Sequence, residues 1–221
     1  MEVTLESIWH SYDGVTYVLK NINLLFRNPD IYLLVGPNGS GKTTLLKIAS
    51  LIIKPSRGRV AVDGKSFWDL ENSSRELIRG SIAYVHDKPI LVRGSVRYNI
   101  ELGLRLRKRV DESLVRYYVN RYGLREVENR NVNKLSAGQA KIVSIIRALV
   151  LRPKILVLDE PFTYLDTART KLLIEDISRI TEEEKSLVLI ASHYMYKDLK
   201  NMANQLIEMI NGEIQNIISH R

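Results

Sequence analysis

Cysteine is absent from the 221 residues, which excludes disulfides, thiol catalysis and thiolate-bound metal. Histidine is scarce as well: the four present are scattered and do not form a zinc-like spacing. No apolar run approaches the length of a membrane span. The opening stretch MEVTLESIWH lacks the basic and apolar regions of a signal peptide, so a cytosolic chain is expected. Repeats, low-complexity segments and long linkers are also missing. Aromatic residues make up only 7%, and the densest basic cluster (Arg105, Arg107, Lys108, Arg109) has none interleaved. A single-strand nucleic-acid platform needs that interleaving, so the cluster reads as a solvated face and no specific nucleic acid is expected.

What is present is a balance of 33 basic against 25 acidic residues, net +8, and 45% hydrophobic residues, enough for a substantial core in one domain. The organising stretch is IYLLVGPNGSGKTTLL, Ile31 to Leu46. It reads as a buried strand, a glycine-rich turn and a helix start, and it fits G-x-x-x-x-G-K-[ST] at Gly36, Gly41, Lys42 and Thr43. Gly36, Gly39 and Gly41 can take backbone angles that turn successive N–H groups into one concave nest, to which Pro37, Asn38, Ser40 and Thr44 also belong. The helix that follows points its free N–H groups and positive dipole end at a phosphate. Lys42 supplies a point charge for β- and γ-phosphates, and the Thr43 hydroxyl can ligate Mg²⁺. The chain is therefore expected to bind a nucleotide.

Around this unit, VTLESIW and TYVLKNINLLF read as half-buried strands, with Leu19, Ile22, Leu24 and Phe26 on one face. RVAVDG ends in a hairpin signal at Asp63–Gly64. The first helix is expected from Lys42 to about Ile53, and a short capped helix over 72–80 precedes a strand at Ser81–Val85. Residues 95–128 are helical in pattern, and Leu135–Val150 forms another helix. Ile155–Leu158 and Leu187–Ala191 are unbroken apolar runs, as in parallel strands buried on both faces. Helices are expected at about Ala168–Ile180 and near Tyr196–Ala203, and Asn211–Gly212 turns a final hairpin. The alternation predicts an α/β fold with a mainly parallel core sheet, an N-terminal antiparallel β region and a helical insertion over about 88–150.

Asp159 and Glu160 sit at the carboxyl end of a buried strand, where open α/β sheets place ligands. Asp159 is suited to hold Mg²⁺ through its water, and Glu160, one residue on, could polarise an attacking water. Leu135–Ser136–Ala137–Gly138–Gln139 reads as a serine-capped helix start, which is also an anion site.

The order GPNGSGKT, LSAGQ, ILVLDEP and then His193 after an apolar strand resembles the ATP-binding cassette (ABC) ATPases over nearly the whole chain. LSAGQ is a one-residue variant of that family's LSGGQ signature and its most specific element. The resemblance implies ATP and Mg²⁺ as ligands. Tyr12 matches the aromatic that stacks on adenine, with Tyr17 as the fallback. Glu160 matches the catalytic carboxylate, and His193 the contact to γ-phosphate. Tyr164–Leu165–Asp166 matches the loop that communicates across the dimer. Ser136, Gly138 and Gln139 match the signature that closes over ATP held by a second subunit in a head-to-tail dimer. Two departures stand out. Asp87 occupies the position of a Gln that coordinates Mg²⁺ and the attacking water, and Ala140–Lys141–Ile142 replaces a polar, Arg-containing run. The resemblance further implies a transport-coupled ATPase, more specifically the ATP-binding subunit of a small-solute importer. It would sit at the inner face of the membrane on separate permease subunits. A soluble ABC ATPase that remodels a cytosolic complex is the other reading.

Overall fold

The structure, a computed structural model, describes residues 1–193 and 197–219. Three strands open the chain: β1 (Glu2–Ser11), β2 (Tyr17–Arg27) and β3 (Ile31–Val35). Leu19, Ile22, Leu24 and Phe26 are all buried, as the alternation predicts. β4 (Arg57–Val62) and the two-residue β5 (Lys65–Ser66) join β1 and β2 in an antiparallel sheet of order β2-β1-β4-β5. Asp63 and Gly64 turn that last hairpin with positive φ at both positions, a twist that suits adjacent strands.

The strand β3 leads directly into helix α1 (Lys42–Ala49), which stops short of the expected Ile53. Leu51 adopts a left-handed φ of 63°, and the N–H groups of Ile52 and Ile53 both turn back to the Lys47 carbonyl. Helix α2 (Asn72–Arg79) forms where expected, but without the expected side-chain cap, since Glu71 makes no capping bond.

The strand β6 (Ile82–Val85) is followed by the helical excursion: α3 (Val96–Leu106), α4 (Glu112–Arg121) and α5 (Ala137–Leu149). Ser95, Asp111 and Ser136 cap these three helices through their side chains. The chain returns in β7 (Ile155–Asp159), then α6 (Thr167–Glu183) and β8 (Leu187–Ser192). It closes with α7 (Lys197–Met202), β9 (Gln205–Ile210) and β10 (Glu213–Ser219). Tyr196, the expected start of the last helix, lies outside the described residues.

The second sheet runs β10-β9-β3-β8-β7-β6, with β3, β6, β7, β8 and β9 mutually parallel and β10 an antiparallel edge. Its inner strands are buried on both faces. Leu33, Leu156, Leu158, Val188 and Ile190 join the core under the helical excursion. Tyr32, Leu34, Val157, Leu187 and Leu189 join a second core shared with α1 and the antiparallel sheet. A period of two thus runs through segments whose uniform hydrophobicity conceals it.

The helical excursion is tied to α6 by one buried carboxylate. Asp176 accepts from the Tyr122 hydroxyl at 2.7 Å and pairs with Arg121 at 3.1 Å and Arg179 at 2.8 Å. Removing one member of such a buried set leaves the others uncompensated. Asp176→Ala is expected to lower stability by about 3–5 kcal/mol in urea unfolding, and a loss under about 1 kcal/mol would mean the network is incidental to the fold.

Candidate functional site

Residues 36–41 form the turn between β3 and α1. Gly36, Gly39 and Gly41 all have positive φ, at 153°, 79° and 99°. Two of them are also required by packing: a Cβ on Gly36 would lie 2.1 Å from the Met209 carbonyl oxygen, and one on Gly41 would lie 2.9 Å from that of Val18. The turn is thus seated on β9 and β2. The Lys42 ammonium folds back over the loop and donates to the carbonyls of Gly36 (2.8 Å) and Pro37 (3.0 Å). Burial lowers the pKa of Lys42, while Glu160 and Asp159 pull it back up. The Ser40 hydroxyl is buried with no hydrogen-bond partner among the described residues.

Asn38, Gly39, Ser40, Gly41, Lys42, Thr43 and Thr44 line a cleft that also contains Val18, Asp87 and Glu160. Asp159, nearly fully buried, accepts from the Thr43 hydroxyl at 3.1 Å through one carboxylate oxygen. Its other oxygen accepts from the Tyr84 hydroxyl, also at 3.1 Å. Burial raises the Asp159 pKa, and the two hydroxyls hold it down. A hydroxyl and a carboxylate fit a hard cation such as Mg²⁺. Among the described residues no cluster of three or more His, Asp or Glu side chains could hold a metal. Phosphate oxygens and water would therefore have to complete the shell.

The register of the parallel sheet brings the remaining groups together. Asp159 pairs with Ala191 across β7 and β8, so Glu160 and His193 emerge from adjacent strand ends. Glu160 takes a left-handed φ of 45°, and its N–H donates to the Ala191 carbonyl at 3.0 Å. Its Oε2 lies 2.7 Å from His193 Nδ1. Asp87 leaves the end of the next strand, β6.

Ser136, Gly138, Gln139 and Asp166 do not line this cleft. Ser136 and Gln139 form a reciprocal capping box, each side chain bonding the other's backbone N–H, at 3.2 and 3.0 Å. Asp166 caps α6 through the Arg169 N–H at 2.7 Å. These two segments meet each other instead: a Cβ on Gly138 would lie 2.7 Å from the Tyr164 carbonyl oxygen. Tyr12 is exposed, packs edge-on against His10, and its hydroxyl lies 3.2 Å from Thr44 Oγ1. Tyr17, the fallback, is occupied by an edge contact with Trp9 and by Arg57 over its ring.

Sequence reasoning missed the part played by Tyr84 and Lys141. Lys141 is fully buried, and its ammonium donates to three main-chain carbonyls at the edge of the cleft. Burial pulls its pKa down to about 8 against the pull of Asp159, Asp87 and Glu160. The available signal was a lone cation directly before the apolar run IVSII on a helix that has to be buried.

The ABC transporter family profile matches residues 19–163. The chain is 33% identical to the spermidine/putrescine import ATP-binding protein PotA of Mesoplasma florum, over 96% of its own length and 60% of that protein's. It is 28% identical to the phosphate import ATP-binding protein PstB 2 of Natronomonas pharaonis, over 96% of this chain and 78% of that one. Among solved structures it resembles the dimeric, post-hydrolysis ATP-binding cassette MJ0796 bound to ADP and Pi. That match has a TM-score of 0.89 at 26% identity and covers 99% of both chains.

The seat of the glycine turn leads to one expectation. Gly36→Ala drives a Cβ into the Met209 carbonyl, so it is expected to lower the thermal midpoint by several degrees. It is also expected to weaken ATP binding about tenfold or more, read by fluorescent-nucleotide titration. Wild-type affinity in this variant would remove the turn's geometry from the site.

Proposed function

The chain belongs to the ABC transporter family, and we propose that it is the ATP-hydrolysing subunit of a transport system, probing the γ-phosphate with Glu160 and His193. The observation that carries this reading is the 2.7 Å contact between Glu160 and His193 at the mouth of the Lys42 cleft. A nucleotide-binding module without turnover has no use for a carboxylate held in that way.

In this reading the main-chain N–H groups of residues 38–44 cradle the phosphates. Lys42 exchanges its loop carbonyls for β- and γ-phosphate oxygens, and Tyr12 stacks on the adenine. Thr43, Asp159 and Asp87 would hold Mg²⁺, which supplies neutralisation of phosphate charge when bound. Glu160 takes a proton from the attacking water. His193 orients Glu160 through Nδ1 and contacts the γ-phosphate with its other ring nitrogen. The serine-capped start of α5, Ser136 with Gly138 and Gln139, does not line this cleft, nor does Asp166. That arrangement supports their acting on ATP held by a second copy or a related cassette in a head-to-tail dimer. The chain acts as one cassette, with residues 88–150 as its helical subdomain.

Among the described residues no helix is long and apolar enough to cross a membrane. The import ATP-binding proteins among its relatives support a reading in which separate permease subunits hold the chain at the inner face of the membrane. Two similar cassettes are named for the import of chemically unlike solutes, a polyamine and phosphate. That contrast supports import of a small solute selected by other chains. The basic cluster also has intramolecular work: Arg105 pairs with the buried Glu101, and Arg107 donates to the Gly80 carbonyl. This supports a structural rather than a nucleic-acid role.

Glu160→Gln is expected to bind ATP, lose turnover about a hundredfold or more, and accumulate as an ATP-bound dimer by size exclusion. Wild-type hydrolysis in this variant would remove Glu160 from its role. Lys42→Ala is expected to lose ATP binding, and unchanged affinity would refute the assignment of that ammonium. Tagged Glu160→Gln protein, drawn from detergent-solubilised native membranes with ATP and Mg²⁺, is expected to bring integral membrane subunits with it. Recovery of soluble partners only would favour the cytosolic remodelling reading.

A further inference from the structure

Two positions where the chain departs from the family pattern, Asp87 and Lys141, are 54 residues apart in sequence and meet in space. Lys141 lies in the second turn of α5 with no exposed surface. Its ammonium donates to the main-chain carbonyls of His86 at 2.8 Å, Asp87 at 2.9 Å and Asp159 at 3.2 Å. Three acceptors satisfy all three donors of an ammonium. The charge sits among the carboxylates of Asp87, Asp159 and Glu160 without bonding any of them directly.

The arrangement does more than fill space. The loop that leaves β6 is held further along by other groups: Arg147 donates to the Ile90 carbonyl, and Asn99 bonds both the N–H and the carbonyl of Val92. Lys141 acts on the two residues nearest the cleft and joins them to the end of β7. A neutral side chain of the same length would leave three main-chain carbonyls short of donors and remove one of the two buried cations near Asp159 and Glu160. An amide in place of Asp87 would remove one of the negative charges that favour the ammonium.

We propose that Lys141 is a positioning residue for ATP hydrolysis. It clamps the loop bearing Asp87 to the strand end bearing Asp159 and Glu160, and its charge balances the carboxylate that Asp87 adds there. This rests on the hydrolytic reading above. Lys141 is one turn beyond Gly138, which packs on the Tyr164 carbonyl, so the first two turns of α5 touch both the 164–166 loop and the Asp87 carbonyl.

The test is a double-mutant cycle on the full chain, with Lys141→Gln, Asp87→Gln and the pair together. For each protein ATP turnover, fluorescent-ATP affinity without Mg²⁺ and the thermal midpoint are measured. Lys141→Gln is expected to lower kcat about tenfold or more while Mg²⁺-free affinity stays within about twofold. Asp87→Gln is expected to change kcat by about threefold. The double variant is expected to turn over at least about fivefold faster than Lys141→Gln and to melt higher, because both members of a coupled charge set are gone. Single losses that simply multiply would overturn the proposal, as would a Lys141→Gln that loses affinity and kcat together. If Lys141→Gln does not fold, the double variant is expected to be soluble and to bind ATP, and an insoluble double variant overturns the proposal. A wild-type protein that binds ATP without hydrolysing it would refute the hydrolytic reading alone. The midpoints and Mg²⁺-free affinities would still report whether Asp87 and Lys141 are coupled.

Discussion

Five parallel strands with inner members buried on both faces impose the constraint on which the rest depends. Parallel pairing aligns their carboxyl ends along one edge of the sheet, and whatever follows each strand is presented there. In this chain the followers are the glycine turn after β3, Asp87 after β6, Glu160 after β7 and His193 after β8. Side chains far apart in sequence become neighbours because hydrogen-bond register fixes the height of each strand end. Asp159 opposite Ala191 is the pairing that sets Glu160 beside His193.

That edge concentrates charge of one sign, and most of the hydrogen bonding around it answers to this. Asp159 is held by two hydroxyls, and the charges of Asp159 and Glu160 favour both the Lys42 and the Lys141 ammonium. The two cations differ in kind. Lys42 bonds carbonyls of a loop built to receive phosphate, so its present partners are replaceable. Lys141 bonds carbonyls of two strand ends, with all three of its donors used inside the fold. A mobile cation serves binding, while a fixed one serves geometry.

Much of this was legible in the sequence because it is local. The G-x-x-x-x-G-K-T spacing, the apolar runs, the Asp63–Gly64 and Asn211–Gly212 turns and the Ser136–Gln139 capping box all lie within a few residues of themselves. Local backbone preference decides them. Boundaries were less legible: α1 ends early because Leu51 turns left-handed, which its side chain does not announce. The face assignment within ILVLD or LVLIAS was hidden too, since a strand buried on both sides carries no polar mark on either.

The sequence by itself determined the element order, the phosphate-binding turn and the family resemblance, because each is carried by short-range spacing. Only the tertiary structure decided that Tyr84 bonds Asp159, that Gly36 is required by Met209, and that Lys141 reaches Asp87. Those contacts depend on strand register and helix placement, which bring together residues that no spacing rule connects. The two unusual positions looked independent along the chain; a buried ammonium must find acceptors, and in the fold the Asp87 carbonyl is one of them.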